Sequence, residues 1–278
     1  MTLARGAASH RPAQVPLYRG YAFDLDGTIY LGDRLIEGAD QVVEALRATG
    51  ARVVFATNKP LETSAEYAAK LTRLGIPAVA SDVISAIDAL VLYLRQEHPS
   101  ARLLAIAEPL LIAELRSAGF EVTDEPFTAD VVVVSFDRTF DYVKLTRAYQ
   151  AVTAGAIIVA TNPDPYCPTP DGGLPDCAAM LAAIEACTGA RAEAIVGKPS
   201  IHMARALLDR LGVPAADAAM VGDRLLTDVA MGLDAGMQSI LVLSGATTER
   251  LLADSSIVPT WVLEDVRGLL APHSLPGS

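Results

Sequence analysis

Tyr21-Ala22-Phe23-Asp24-Leu25-Asp26-Gly27-Thr28 is a short apolar run that breaks into two acids, a glycine and a threonine. The run reads as a buried strand, and Gly27 permits a sharp turn directly after it. Asp24 and Asp26 then stand just past the strand's carboxyl end. Two carboxylates this close repel each other. A bound cation relieves that repulsion, and an all-oxygen ligand set favours magnesium. Taken alone, the stretch is moderately specific and also admits a turn in which one of the two acids caps a nearby backbone group.

Working outward, strands and helices alternate along the whole chain. Ala39 to Thr49 has a helical pattern stopped by Gly50, Arg52 to Ala56 reads as a strand, and a helix is expected from Ser64 to Leu74. The same beat returns late. Ala194 to Val196, Ala218 to Val221 and Ser239 to Leu243 read as strands, with helices over Ile201 to Leu211 and Leu225 to Leu233. The middle repeats it: strands at Leu103 to Ala105, Val131 to Ser135 and Ala156 to Ala160, helices at Leu110 to Ala118, Tyr142 to Thr153 and Ala178 to Thr188. The Pro-, Gly- and Asp-rich stretch from Asn162 to Asp176 is expected to be loop. Apolar strands alternating with helices imply a parallel sheet covered on both faces, here with a second α/β lobe.

Ligands of such sheets bind beyond the carboxyl ends of the strands. Three further clusters fall at such ends. Thr57-Asn58 precedes a helix, where a hydroxyl and backbone N–H groups suit a phosphate, or where Thr57 simply caps the helix. Lys198, in Gly197-Lys198-Pro199-Ser200, offers a compact point charge for a phosphate dianion, or a solvent-facing turn lysine. Asp223 follows Met220-Val221-Gly222, and Asp228 lies on the next helix, where an exposed acid is the alternative.

Composition narrows the classes. The 278 residues are 51% hydrophobic and 20% charged, enough for a sizeable core in two lobes. No apolar run exceeds about ten residues, against the ~20 that cross a bilayer, so no membrane partner is expected. The net charge of −11 argues against a nucleic-acid partner. Cys167, Cys177 and Cys187 lack a Cys-x-x-Cys pair, which disfavours zinc. An odd cysteine count and no apolar leader point to the cytoplasm. No G-x-G-x-x-G occurs, which disfavours a nicotinamide enzyme.

The joint order is more specific than its parts: D-x-D-G-T at Asp24 to Thr28, T-N at Thr57-Asn58, K-P at Lys198-Pro199 and G-D-x4-D from Gly222 to Asp228. In this the chain resembles the haloacid dehalogenase superfamily. Ala160-Thr161-Asn162-Pro163-Asp164 and Val221-Gly222-Asp223-Arg224-Leu225-Leu226-Thr227-Asp228 bring it nearest the NagD-like phosphatases, which carry a large α/β cap between the second and third motifs. The resemblance runs from about Tyr18 to Val266. It implies a Rossmann-like doubly wound core over residues 17–84 and 190–272, an inserted α/β cap over 85–189 and a flexible arm over 1–16.

The resemblance also implies a magnesium-dependent phosphomonoesterase for a small phosphorylated metabolite, with p-nitrophenyl phosphate as surrogate. Asp24 would be the nucleophile and Asp26 the general acid and base. Asp24, the Asp26 main-chain carbonyl and Asp223 would hold magnesium, supported by Asp228, which would also orient Lys198. Thr57, Asn58 and Lys198 would bind the phosphoryl group, and cap-to-cap homodimers fit such proteins. Two departures stand out. Lys59 follows Thr57-Asn58 where relatives often have Asn or a small residue; it either adds charge near the phosphate or, the favoured reading, points to solvent. Asp176 either faces the substrate or, again favoured, caps a helix.

Rival functions are weaker. A carbon–halogen hydrolase needs neither Asp26 nor magnesium. Phosphotransferases of this kind usually place a helical cap after the first motif, and about thirty residues between Asp26 and Thr57 are too few for one. A weakly catalytic metabolite-binding homologue would have no reason to keep every one of these positions.

Overall fold

The computed structural model describes residues 15–169 and 172–270; all but the last two residues of the expected arm lie outside them. Two parallel sheets organise the chain. Six strands form the first, in the order Trp261–Leu263, Gln238–Val242, Ala218–Gly222, Gly20–Asp24, Arg52–Thr57, Val83–Ser85. Along Gly20–Asp24 every residue is buried, and side chains alternate between faces as the pleat requires. Tyr21 and Phe23 pack with Phe55, Val42, Val43 and Leu46 on one face, where the Ala39–Ala48 and Ser64–Arg73 helices lie. Ala22 packs with Val54, Met220 and Met203 on the other, against the Ile201–Leu211 helix.

This order is doubly wound. The chain leaves the central Gly20–Asp24 strand toward Arg52–Thr57 on one side and returns at Ala218–Gly222 on the other. The crevice at such a switch point is where open α/β sheets bind ligands. Here it lies between the loop carrying Asp24 and Asp26 and the loop carrying Asp223.

The second sheet has the order Ala194–Ile195, Ile157–Ala160, Val131–Val134, Arg102–Ile106, Glu121–Val122, also parallel throughout. The strand at Ala194–Ile195 thus pairs with Ile157–Ala160 and not within the sheet that holds Asp24. Lys198 follows a strand end of the second sheet, and its loop carries it back to the first.

Two further differences from expectation have local causes. Within the stretch expected to be loop, Tyr166–Thr169 and Gly172–Pro175 pair as an antiparallel hairpin. A two-stranded ribbon has only edge positions, so it tolerates prolines that a central strand excludes. The helix expected from Leu225 begins as one π-helical turn, Leu225–Val229, before turning α-helical over Ala230–Asp234. Among the described residues, no helix is long and apolar enough to cross a membrane.

Candidate active site

Asp24, Lys198, Asp223 and Asp228 meet at the switch point, only 8%, 3%, 2% and 1% exposed. The Lys198 ammonium donates to Asp24 Oδ1 at 2.5 Å and to Asp228 Oδ1 at 2.7 Å. Asp228 is held in turn: its Oδ2 accepts the Arg224 backbone N–H at 3.1 Å. The wide turn at Leu225–Val229 brings Asp228 hard against Gly222, where a Cβ would lie 2.3 Å from Asp228 Cβ; only glycine fits. Gly27 has φ +98°, and a Cβ there would meet Asp223 Oδ2 at 2.4 Å. Its glycine therefore serves both the turn and the approach of the Asp223 carboxylate.

Three carboxylates gather at one ammonium, which pairs with two of them, Asp24 and Asp228. Burial, with Asp228 and Asp223 adding to it, pushes Asp24 up to about 8 although Lys198 opposes the shift. Asp223 is pushed up to about 6, first by burial and then by Asp228. Burial works against the Lys198 charge, but Asp228 and Asp24 outweigh it and hold this lysine above its ordinary pKa.

The donor set fits a divalent cation. One oxygen from each of Asp24, Asp223 and Asp228 lies within 4.8 Å of the others. Asp223 Oδ2 accepts the Ala246 backbone N–H at 2.5 Å, while its Oδ1 is buried with no hydrogen-bond partner among the described residues. A buried carboxylate oxygen without a donor is costly unless a cation takes it.

Toward solvent, a cavity opens above Asp24. From the first sheet it is lined by Asp26, Thr57, Asn58, Lys59 and Arg224, and from the second sheet's side by Asn162, Asp164, Tyr166, Cys167 and Asp176. Lys59 does not point to solvent: its ammonium pairs with the Asp26 carboxylate, and the Tyr67 hydroxyl donates to its carbonyl at 3.0 Å. Burial opposes its charge, but the bond to Asp26 prevails and raises its pKa. Thr57 Oγ1 accepts the Lys59 N–H at 3.1 Å, a local turn bond; the helix that follows is capped by Thr63, not by Thr57.

The Asn58 side chain is engaged with protein. Its Nδ2 donates to Asp164 Oδ2 at 2.9 Å and to the Lys198 carbonyl at 3.0 Å, and its Oδ1 accepts the Lys198 N–H at 2.8 Å. Arg224, Tyr166 and the Ala246 N–H carry no motif that reading the chain alone would single out. Arg224 sits directly beside Asp223, and that adjacency was the only signal.

Asp176 caps the Cys177–Thr188 helix and accepts the Cys177 N–H at 2.6 Å, yet it also lines the cavity. Burial pushes it from 3.8 up to about 6. A raised carboxyl contributes stability that is complete below the unfolded value and is lost as pH rises through about 6. Asp176→Asn keeps a capping oxygen and removes the charge. It is expected to stabilise the fold at pH 8 by on the order of 1–3 kcal/mol and by roughly a third as much at pH 4.5. Urea unfolding at the two pH values reads the difference, and an equal effect at both would refute it.

With this geometry in view, comparison with known proteins is decisive. Residues 21–121 match the haloacid dehalogenase-like hydrolase family, and residues 195–269 match the HAD-hydrolase-like family. The chain is 35% identical to the sugar-phosphatase AraL of Bacillus subtilis over 260 residues, 94% of each chain. The chain belongs to the haloacid dehalogenase superfamily. Its fold resembles the 4-nitrophenylphosphatase of Thermotoga maritima with a TM-score of 0.86 at 33% identity, covering 92% of this chain and 97% of that one. It resembles NagD of E. coli K-12 with a TM-score of 0.83 at 29% identity, covering 90% and 98%. This HAD enzyme is thus a NagD-like phosphomonoester hydrolase, and its substrate is a small phosphorylated molecule.

Proposed function

We propose that this phosphatase hydrolyses small sugar phosphates with magnesium, through an aspartyl-phosphate on Asp24. The observation that carries the reading is Asp24 at the switch point, bonded to Lys198 and placed at the floor of a cavity walled by the second sheet. The sugar-phosphatase name of the relative from B. subtilis and the nitrophenylphosphatase name of the T. maritima protein support the substrate class and the surrogate.

In this mechanism an Asp24 oxygen attacks phosphorus in line while the bond to the leaving oxygen breaks. Asp26, two residues on and positioned by Lys59, first takes up a proton from solvent and in that protonated form gives it to the leaving alkoxide. Asp26 then takes a proton from the water that attacks the aspartyl-phosphate, and phosphate and the free Asp24 carboxylate result. Lys198, with the main chain of Thr57 and Asn58, holds the equatorial oxygens. Asp24, the Asp26 main-chain carbonyl and Asp223, beside Asp228, would hold magnesium, which would supply the positive charge that lets a dianion approach these acids. Residues 17–84 and 190–272 serve as catalytic core and 85–189 as the cap that selects the leaving group, with the Ala194–Ile195 strand tying the two together.

A phosphate-release screen with magnesium tests the reading. p-Nitrophenyl phosphate and a subset of sugar phosphates are expected to be hydrolysed, and nucleotides much less. A flat profile would indicate a broad role instead, and no release from any compound would sink the proposal.

A further inference from the structure

Both amide hydrogens of Asn58 are spent on protein oxygens, so its side chain has no donor left for a phosphate. Two of its three bonds clamp the main chain of Lys198, one to the N–H and one to the carbonyl. The third goes to Asp164, in the loop that follows the Ile157–Ala160 strand of the second sheet. The same Asp164 Oδ2 also accepts Asn162 Nδ2 at 3.0 Å, and Oδ1 lies 3.7 Å from Arg224 Nη1. Asp164 therefore reaches two separate loops of the first sheet. The packing at this junction is tight: a Cβ on Gly197 would meet the Thr161 carbonyl at 2.4 Å and Asn58 Oδ1 at 2.7 Å.

We propose that Asp164 is a positioning residue for the phosphoryl-binding lysine: it orients the Asn58 amide, and Asn58 fixes the Lys198 main chain. This rests on the reading of Lys198 as the cation that holds the transferring phosphoryl group. An amide in a loop can rotate about its side-chain bonds. With Lys198 alone as partner, Asn58 has two bonds to one residue; Asp164 adds a third, from a charged acceptor and a different direction. Lys198 must carry its ammonium to Asp24 and Asp228 at once, and a displacement of about 1 Å in such a group costs on the order of 100-fold in rate. The phosphoryl site of the first sheet is thereby complete only while the second sheet's loop lies across it.

The test is a double-mutant cycle of Asp164→Ala and Asn58→Ala in the full chain with magnesium. It uses p-nitrophenyl phosphate, one sugar phosphate that the enzyme hydrolyses, and inorganic phosphate as competitive inhibitor. Asp164→Ala is expected to lower kcat/KM about 10- to 100-fold, by the same factor for both substrates, and to weaken inhibition by phosphate. Asp164→Asn, which keeps an acceptor for Asn58, is expected to recover part of the loss. In the Asn58→Ala background, removing Asp164 is expected to cost little more. Losses that multiply in the double variant would overturn the proposal. So would unequal losses for the two substrates, which would make Asp164 a leaving-group contact. A separate arm addresses the premise: Lys198→Ala with unchanged phosphate inhibition would overturn the reading of Lys198, and this proposal with it.

Discussion

Replacing Asp24 by Asn is expected to reduce phosphate release from p-nitrophenyl phosphate by at least about 10⁴-fold, because it removes the atom that attacks phosphorus. The amide retains the size of the carboxylate and still offers Lys198 an oxygen. Loss of activity is therefore expected without loss of the fold. The electrostatics go further: three carboxylates and one ammonium are buried together, and burial has pushed Asp24 up to about 8. The stability that goes with its protonated form is complete below 3.8 and is lost as pH rises through about 8. At pH 8 and above, metal-free Asp24→Asn is expected to melt at the same temperature as the wild type or higher. A wild-type rate in the variant would refute the nucleophile. A fall of many degrees in Tm would assign the lost activity to folding instead of chemistry.

How far the chain could be read without coordinates follows from which interactions are local. Asp24, Asp26, Thr57, Asp223 and Asp228 were legible because each lies at, or within a few residues of, the end of an apolar strand. The helices at 39–48, 64–73, 142–153 and 201–211 were legible from their periodicity. Pairing was not. Ala194–Ile195 looks like any short parallel strand, and only its partner at residues 159–160 shows that it belongs to the second sheet. The pairing of 166–169 with 172–175 was hidden because the prolines and glycines there read as loop.

The same limit applied to single side chains. Lys59 follows a turn in the sequence, and nothing nearby tells that Asp26, 33 positions earlier, receives its ammonium. Thr57 and Asn58 line the cavity, but the Asn58 side chain is a clamp between distant segments, 106 and 140 positions away. Residue type and strand-end position announce a site. Which donor meets which acceptor depends on long-range geometry that no short motif encodes.

Removing divalent metal with EDTA is expected to reduce turnover by about 10³-fold or more, and added magnesium is expected to restore it. Asp223 Oδ1 is buried without a donor among the described residues, while Oδ2 accepts the Ala246 N–H. A carboxylate built this way is held in place to offer one oxygen to something outside the protein. With its neighbours Asp24 and Asp228 all ionised, the formal local charge is two negatives after Lys198 is counted (three acids less one base). Binding a cation to the folded chain then raises stability by RT ln(1 + [L]/Kd), about 2.7 kcal/mol at a hundred times Kd. The pH dependence has a definite sign. Asp24 and Asp223 are raised to about 8 and about 6, so the metal-free fold loses stability as pH rises through that range. Protons compete with the metal for the same oxygens at the lower end. The rise in Tm on adding magnesium is therefore expected to be larger at pH 8 than at pH 6. Asp223→Asn is expected to abolish that rise along with the restored turnover. Full activity after exhaustive chelation, or a Tm indifferent to magnesium at pH 8, would remove the metal from this site.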